Sequence, residues 1–243
     1  MSPAAEHTLF DVAIVGLGPV GCLGAILCAE AGLNVVAVEK EADVYTLPRA
    51  VNLDGEIIRA LQPVGLAETV QQMMQPLREG ERAGFANSKR EWLFGGVARP
   101  TGSNGWQPAN MFDQPELETF LRETATSHPK VTAYIGYEMT RFSNDPAQVA
   151  IQATGDEGEI SLRANYLIAC DGANSPTRKA LGVGWRDLGY DQDWLVVDVE
   201  MIKPHALPNE VLALTPANLH AVDAGAAVAA QVGAAEARGG GGR

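Results

Sequence analysis

The chain has 243 residues, enough for one large domain or two small ones, and 46% of them are hydrophobic, which is ordinary for a globular core. Its formal net charge of −12 argues against nucleic acid and anionic membranes as partners. An anionic small substrate remains open, because it needs only local arginine.

Residues 1–9 read as a frayed arm without a basic n-region or a continuous apolar h-region. No stretch of about 20 residues is apolar enough to span a bilayer. A cytoplasmic location is therefore expected. Residues 11–39, DVAIVGLGPVGCLGAILCAEAGLNVVAVE, carry the most information. The apolar run Val12 to Val15 enters a turn holding Gly16, Leu17, Gly18, Pro19, Val20 and Gly21. A helix-compatible segment runs from Val20 to Ala31, Gly32 ends it, and a second apolar run, Val35 to Val38, stops at Glu39 and Lys40. Strand, glycine turn, helix and acid-tipped strand together form a dinucleotide-binding βαβ fingerprint. Gly16 permits the tight turn, Gly18 lets a diphosphate approach the backbone, and Gly21 and Gly24 let helix and strand pack closely. The helix N-terminus offers free N–H groups and a positive dipole end. Glu39 follows Gly21 by 18 residues, near the spacing of a ribose-binding acid. A carboxylate there repels a 2′-phosphate, which disfavours NADP and leaves FAD and NAD.

The segment Leu47 to Val70 reads as a loop leading into a helix, with Asp54 as N-cap and Ile57, Ile58, Leu61 and Val64 as the apolar face. Pro63 disturbs the end of that helix. Phe85 to Phe94 reads as two short strands joined by a polar turn at Asn87–Arg90. A loop from Thr101 to Pro108 precedes a helix opened by Asp113, with Leu117, Phe120 and Leu121 as its stripe. Short β-type runs from Val131 to Ile160 predict a small antiparallel meander. A buried strand, Tyr166 to Cys170, breaks at Asp171–Gly172, and a short helix follows with Ser175 as N-cap and Pro176 in its first turn. Trp194 to Ile202 has strand character. After about Val211 the composition shifts, and residues 211–243 predict an Ala/Gly-rich, disordered tail.

Cys22, Cys28 and Cys170 form no CxxC and read as reduced, buried small residues. His7, His128, His205 and His220 are scattered without metal-ligand spacing, so no metal is expected. Trp92, Trp106, Trp185 and Trp194 read as packing residues.

An Asp-Gly break at the carboxyl end of a parallel strand lies where ligands bind in open α/β sheets, although alone it is usually a turn. Joined to the N-terminal fingerprint, CDGANSPTRKALGV, Cys170 to Val183, resembles a motif of the class A FAD-dependent aromatic hydroxylases, the p-hydroxybenzoate hydroxylase group. PRAVNLDGEIIRAL, from Pro48, resembles their arginine loop, and FDQPELETFLRE, from Phe112, their glutamine-containing helix start. DLGYDQDWLVVDVE, from Asp187, is similar to the 3-(3-hydroxyphenyl)propionate hydroxylases.

The resemblance implies an α/β fold: a Rossmann-like parallel-sheet FAD-binding domain with an antiparallel β-meander and an incomplete substrate domain. The FAD-binding domain would take residues 10–80 and 100–185, with the meander at about 131–163, and the partial substrate domain residues 81–99 and 186–210. The resemblance also implies FAD as cofactor, NADH or NADPH as co-substrate, and a small phenolic substrate hydroxylated with O2; a homo-oligomer remains open. It places Arg49, Gln114, Asp171 and Gly172 near the flavin, has the Asp-Gly motif, which includes Arg178, also meet the nicotinamide cofactor, and identifies no catalytic side chain. The family's downstream Gly-Asp-Ala-Ala-His-type stretch has no counterpart, and the chain leaves the family pattern at about Val211. A C-terminally truncated member, through a frameshift in GC-rich DNA, is the expectation. An NAD-dependent dehydrogenase and a non-catalytic nucleotide-binding remnant are the alternatives.

Overall fold

The computed structural model describes residues 8–46, 50, 52–77, 79–87, 89, 91–189, 195–198, 211–215 and 228–231. In chain order the elements begin with β1 (Leu9–Val15), α1 (Pro19–Glu30), β2 (Val35–Glu39), β3 (Asn52–Leu53) and α2 (Gly55–Leu61). Next come α3 (Ala67–Gln72), β4 (Gln75–Pro76), β5 (Arg82–Asn87), β6 (Trp92–Val97), β7 (Asn110–Met111) and α4 (Gln114–Ser127). They end with β8 (Val131–Ile135), β9 (Glu138–Asn144), β10 (Val149–Gly155), β11 (Gly158–Ala169), α5 (Pro176–Ala180), β12 (Leu195–Asp198), β13 (Val211–Thr215) and β14 (Val228–Gln231).

The chain divides into two compact units. The first comprises the described residues of Met1–Ala50, Leu61–Met73 and Gln114–Trp185. Its six-stranded sheet has the order β8-β2-β1-β11-β10-β9. β8, β2, β1 and the second half of β11 run parallel, and β11, β10 and β9 run antiparallel. The expected meander therefore loses its first strand: Val131–Ile135 pairs parallel with Val35–Glu39. The reason is topological. α4 lies between β7 and β8 in the chain, and a crossover helix returns the chain parallel to the strands already laid down.

One face of this sheet packs Ala13, Val36 and Val38 against the meander residues Ile151, Ile160 and Leu162. The other face receives α1, which packs on β1, β2 and α4. Ile14 and Val35 are fully buried there. β11 is not the buried strand expected, because Tyr166 is 71% exposed and Ile168 39% exposed. Both alternate with Leu167, which packs into the meander core, so they lie on the face that α1 covers over β1.

The second unit comprises the described residues of Val51–Ala60, Met74–Asp113 and Arg186–Arg243. It holds a three-stranded sheet, β3-β7-β4, and a five-stranded sheet, β12-β14-β13-β5-β6. The small sheet draws residues 52–53, 75–76 and 110–111 together. A strand needs a partner for its N–H and C=O groups, and these segments pair with one another.

Several local expectations meet their elements. Asp54 Oδ1 accepts from the N–H groups of Glu56 and Ile57 at the start of α2. Gln62–Val64, around Pro63, is a 3-10 turn rather than helix. β5 and β6 form the expected hairpin. β1 begins at Leu9, inside the segment read as an arm, and residues 1–7 lie outside the described residues. Val211–Thr215 and Val228–Gln231 are strands within the stretch read as a disordered tail, because VLALT offers β13 the apolar and β-branched residues to pair with β5. The rest of that tail lies outside the described residues.

Ile14→Ala removes a fully buried side chain from the centre of the parallel sheet. The expected loss is about 2–5 kcal/mol of unfolding free energy, read from the urea midpoint.

Candidate functional site

The carboxyl ends of β2, β1 and β11 lie side by side, the place where open α/β sheets form a crevice. The N–H of Gly16 donates to the Val38 carbonyl at 2.8 Å, and the N–H of Cys170 donates to the Val15 carbonyl at 2.7 Å. These bonds stack the glycine turn between the two neighbouring strand ends. Gly16 has φ +93°, and a Cβ there would overlap the Cys170 carbonyl. A Cβ on Gly21 would overlap the Gly16 carbonyl oxygen, so α1 enters against the turn itself. Gly24 is different. A Cβ there would meet Ile14 Cδ1 at 3.8 Å, an ordinary contact, so the close packing expected of Gly24 is not required.

Gly18 is the N-cap of α1 and carries no side-chain cap, and Pro19 fills the first helical position. Among the described residues no side-chain cap bonds the first-turn N–H groups. A Cβ on Gly18 would meet only Glu118 Oε1, at 4.0 Å. Room remains there for a phosphate to lie on the backbone.

Glu39 ends β2 and is buried. Its Oε2 accepts from the N–H of Leu17 at 2.6 Å, and its Oε1 accepts from the N–H of Glu41 at 2.8 Å. Two main-chain amides thus fix the carboxylate. A carboxylate has about four lone-pair sites, so roughly two remain for a diol. Lys40 is exposed and pairs with Glu41 at 3.4 Å. Arg49 lies outside the described residues, but its neighbour Ala50 donates its N–H to Gln114 Oε1 at 2.8 Å. Gln114 thereby fastens the end of that loop to the first residue of α4.

Two residues escaped the sequence reading. Glu118 is buried beside the glycine turn, bonded to Gln114 Nε2 at 3.4 Å and paired with Arg122 at 3.7 Å. Arg122 Nη1 also donates to the Glu41 carbonyl at 3.2 Å. The available signal was an acid at 118 immediately beside Leu117, with an arginine one turn later on the buried flank of an amphipathic helix.

On the β11 side, Asp171 Oδ1 accepts from Ser175 Oγ at 2.5 Å and Oδ2 from the Thr177 N–H at 2.9 Å. Ser175 Oγ accepts in turn from the Arg178 N–H, making it the expected N-cap of α5. Burial pushes the Asp171 carboxyl upward, but the hydrogen bonds from Ser175 and Thr177 outweigh it and hold the group below its usual 3.8. Gly172 has φ +80° and open space where a Cβ would be. Arg178 bonds the Ala173 carbonyl and lies over the Trp185 ring. Trp185 is thus an exposed cover rather than the packing residue expected, and Trp194 lies outside the described residues.

Burial pushes the Cys22 thiol up to about 12, and its Sγ donates to the Leu17 carbonyl at 3.1 Å. Burial and the neighbouring Asp171 raise Cys170 as well. Burial thus disfavours the reactive thiolate form at both. Cys28 and Cys170 are only partly buried, unlike Cys22.

Residues 9–229 match the model of the FAD binding domain family. The chain belongs to that family. A 3-(3-hydroxy-phenyl)propionate/3-hydroxycinnamic acid hydroxylase of Klebsiella pneumoniae is 32% identical over 217 residues, covering 89% of this chain and 38% of the relative. Its counterpart in Comamonas testosteroni is 34% identical over 190 residues, covering 78% of this chain and 32% of the relative. The chain thus spans about a third of the length of these relatives. Among solved structures, p-nitrophenol 4-monooxygenase from Pseudomonas putida superposes with a TM-score of 0.64 at 26% identity, over 72% of this chain and 44% of that one. Aklavinone-11 hydroxylase, solved with FAD and aklavinone, gives 0.58 at 26% identity, over 71% and 35%. The parallel sheet with its antiparallel extension is the fold of this family's flavin monooxygenases. Among the described residues no helix is long and apolar enough to cross a membrane.

Two outcomes test the FAD binding domain at this crevice. Gly21→Ala is expected to unfold at markedly lower urea concentration, whereas Gly24→Ala gains about 0.5–1 kcal/mol from helix propensity. The Asp171 contribution to stability is present above the usual carboxylate value, because its folded pKa is depressed. It is lost as pH falls from near 3.8 through the lower folded value, and Asp171→Asn removes that part of the pH dependence in urea titrations.

Proposed function

We propose that this chain is the flavin-holding part of a monooxygenase that uses NADH or NADPH and O2 to hydroxylate a phenolic substrate such as 3-(3-hydroxyphenyl)propionate. The observation that carries the reading is the pairing of an uncapped α1 N-terminus with a carboxylate already fixed by two amides. A diphosphate fits the first feature, and a ribose diol fits the second. Gly16, Leu17, Gly18, Pro19, Val20 and Gly21 form the diphosphate turn, and Glu39, with Lys40 beyond it, takes the adenosine ribose. A 2′-phosphate at Glu39 would meet a fixed negative charge. This favours FAD over NADP at the crevice.

Asp171 and Gly172 face the ribityl side. Each Asp171 oxygen accepts one bond in the structure and retains a lone pair for a hydroxyl. Gln114 holds the end of the segment that carries Arg49, which the family resemblance puts near the flavin. When bound, FAD supplies the redox chemistry that joins nicotinamide oxidation to insertion of an oxygen atom from O2 into the phenol ring. The role of this chain is to bind and orient that cofactor. The discontinuous FAD-binding domain would comprise residues 10–80 and 100–185, and residues 81–99 and 186–210 would belong to a substrate domain. Support for the phenolic substrate comes from the names of the hydroxylase relatives.

The test begins with uptake of FAD by the purified chain, followed by flavin fluorescence. A yellow complex is expected. Glu39→Gln should weaken it roughly 10- to 100-fold, the worth of a charge-assisted hydrogen bond. A colourless protein that binds NAD instead would show a dehydrogenase. Nicotinamide oxidation stimulated by 3-(3-hydroxyphenyl)propionate, with hydroxylated product, tests the substrate. Oxidation unaffected by any phenol would reject it.

A further inference from the structure

Arg178 is held at three points. Its main-chain N–H donates to Ser175 Oγ at 2.9 Å, and its Nη1 donates to the Ala173 carbonyl at 2.6 Å. Its guanidinium carbon lies 4.7 Å from the centroid of the Trp185 ring. Nε is buried and meets no hydrogen-bond partner among the described residues. The bond to Ala173 closes the chain into a loop from Ala173 to Arg178. Inside that loop Ser175 donates to Asp171, and the Thr177 N–H donates to the other Asp171 oxygen.

The end of α5 explains how Trp185 reaches Arg178. Gly182, at φ +68°, donates its N–H to the Lys179 carbonyl, and the Val183 N–H donates to the Arg178 carbonyl. This is a Schellman ending, and it turns the chain back past the helix. Trp185 then lies across the guanidinium. It is 69% exposed, so burial in a core does not account for its placement. Its contact with a cation does. The ring face attracts the guanidinium and shields one side of it from water, which strengthens the bond to Ala173.

We infer that Trp185 is a positioning residue for the Asp171–Gly172 turn: by covering Arg178 it keeps the Ala173 bond closed, and through Ser175 it holds the Asp171 carboxylate in place. The inference rests on the reading of Asp171 and Gly172 as cofactor-binding residues. The connection runs through contiguous contacts, Trp185 to Arg178, Arg178 to Ala173 and Ser175, and Ser175 to Asp171.

Amide hydrogen exchange in the free chain tests the coupling, and FAD affinity in the same variants tests its purpose. W185A should speed exchange at the Thr177 and Arg178 amides about tenfold and weaken FAD in similar proportion. W185F, which keeps a ring face, should stay within about threefold of the parent chain. In an R178A background W185A should add nothing. The inference is overturned if W185F behaves like W185A, if W185A leaves exchange unchanged, or if its effect persists in full without Arg178. A parent chain that shows the expected exchange pattern but takes up no FAD overturns the cofactor role of the turn, and with it the purpose assigned to Trp185. That failure is distinct from a failure of the coupling itself.

Discussion

Two positions that cannot carry a side chain govern the crevice. Gly21 sits so close to the Gly16 carbonyl, and Gly16 to the Cys170 carbonyl, that a Cβ at either would overlap main-chain atoms. This interlock brings three strand ends and one helix start within a few bonds of each other. Leu17 can then reach the Glu39 carboxylate, and Cys170 can bond Val15 just before the chain turns at Asp171. Displacing α1 by the width of a methyl group would separate the amide-bearing turn from the acid that completes it.

Electrostatics at this point are arranged by main-chain groups more than by side-chain pairs. In a chain with net charge −12, two buried acids border the glycine turn. Glu39 is held by two amides, and Glu118 is held by Gln114 and Arg122. Arg122 also reaches the Glu41 carbonyl, so one cation ties α4 to the segment leaving β2. Asp171 is likewise committed to a hydroxyl and an amide. Each acid is oriented before any ligand arrives, which lowers the cost of ordering on binding. Burial raises the neighbouring thiols Cys22 and Cys170 and so disfavours their thiolates.

Reading the sequence located this turn because its physical requirements are local. A strand, a glycine turn, a helix and an acid at a set distance follow from the short-range period and from positions that need φ > 0 or close approach. The Asp54 and Ser175 caps and the 82–97 hairpin were legible for the same reason. What failed depended on distant partners. Val131–Ile135 has the composition of a meander strand, and only the crossover through α4 makes it parallel to β2. Tyr166 and Ile168 read as buried because strand patterns do not reveal how far a covering helix extends. Gly24 looked like its neighbour Gly21, yet the space beside each is set by the angle of α1. Composition likewise hid the pairing of Val211–Thr215 with β5.

The amino-acid order by itself determined that a βαβ unit with a glycine turn exists, that an acid ends its second strand, and that an Asp-Gly turn follows a later strand. These depend on backbone freedom and capping within a few residues. Only the tertiary structure decided that Glu39 is fixed by Leu17 and Glu41, that Glu118 and Arg122 border the turn, and that Trp185 covers Arg178. The first two sets join elements far apart in the chain and the third spans a helix ending, so each depends on how the backbone folds back in space.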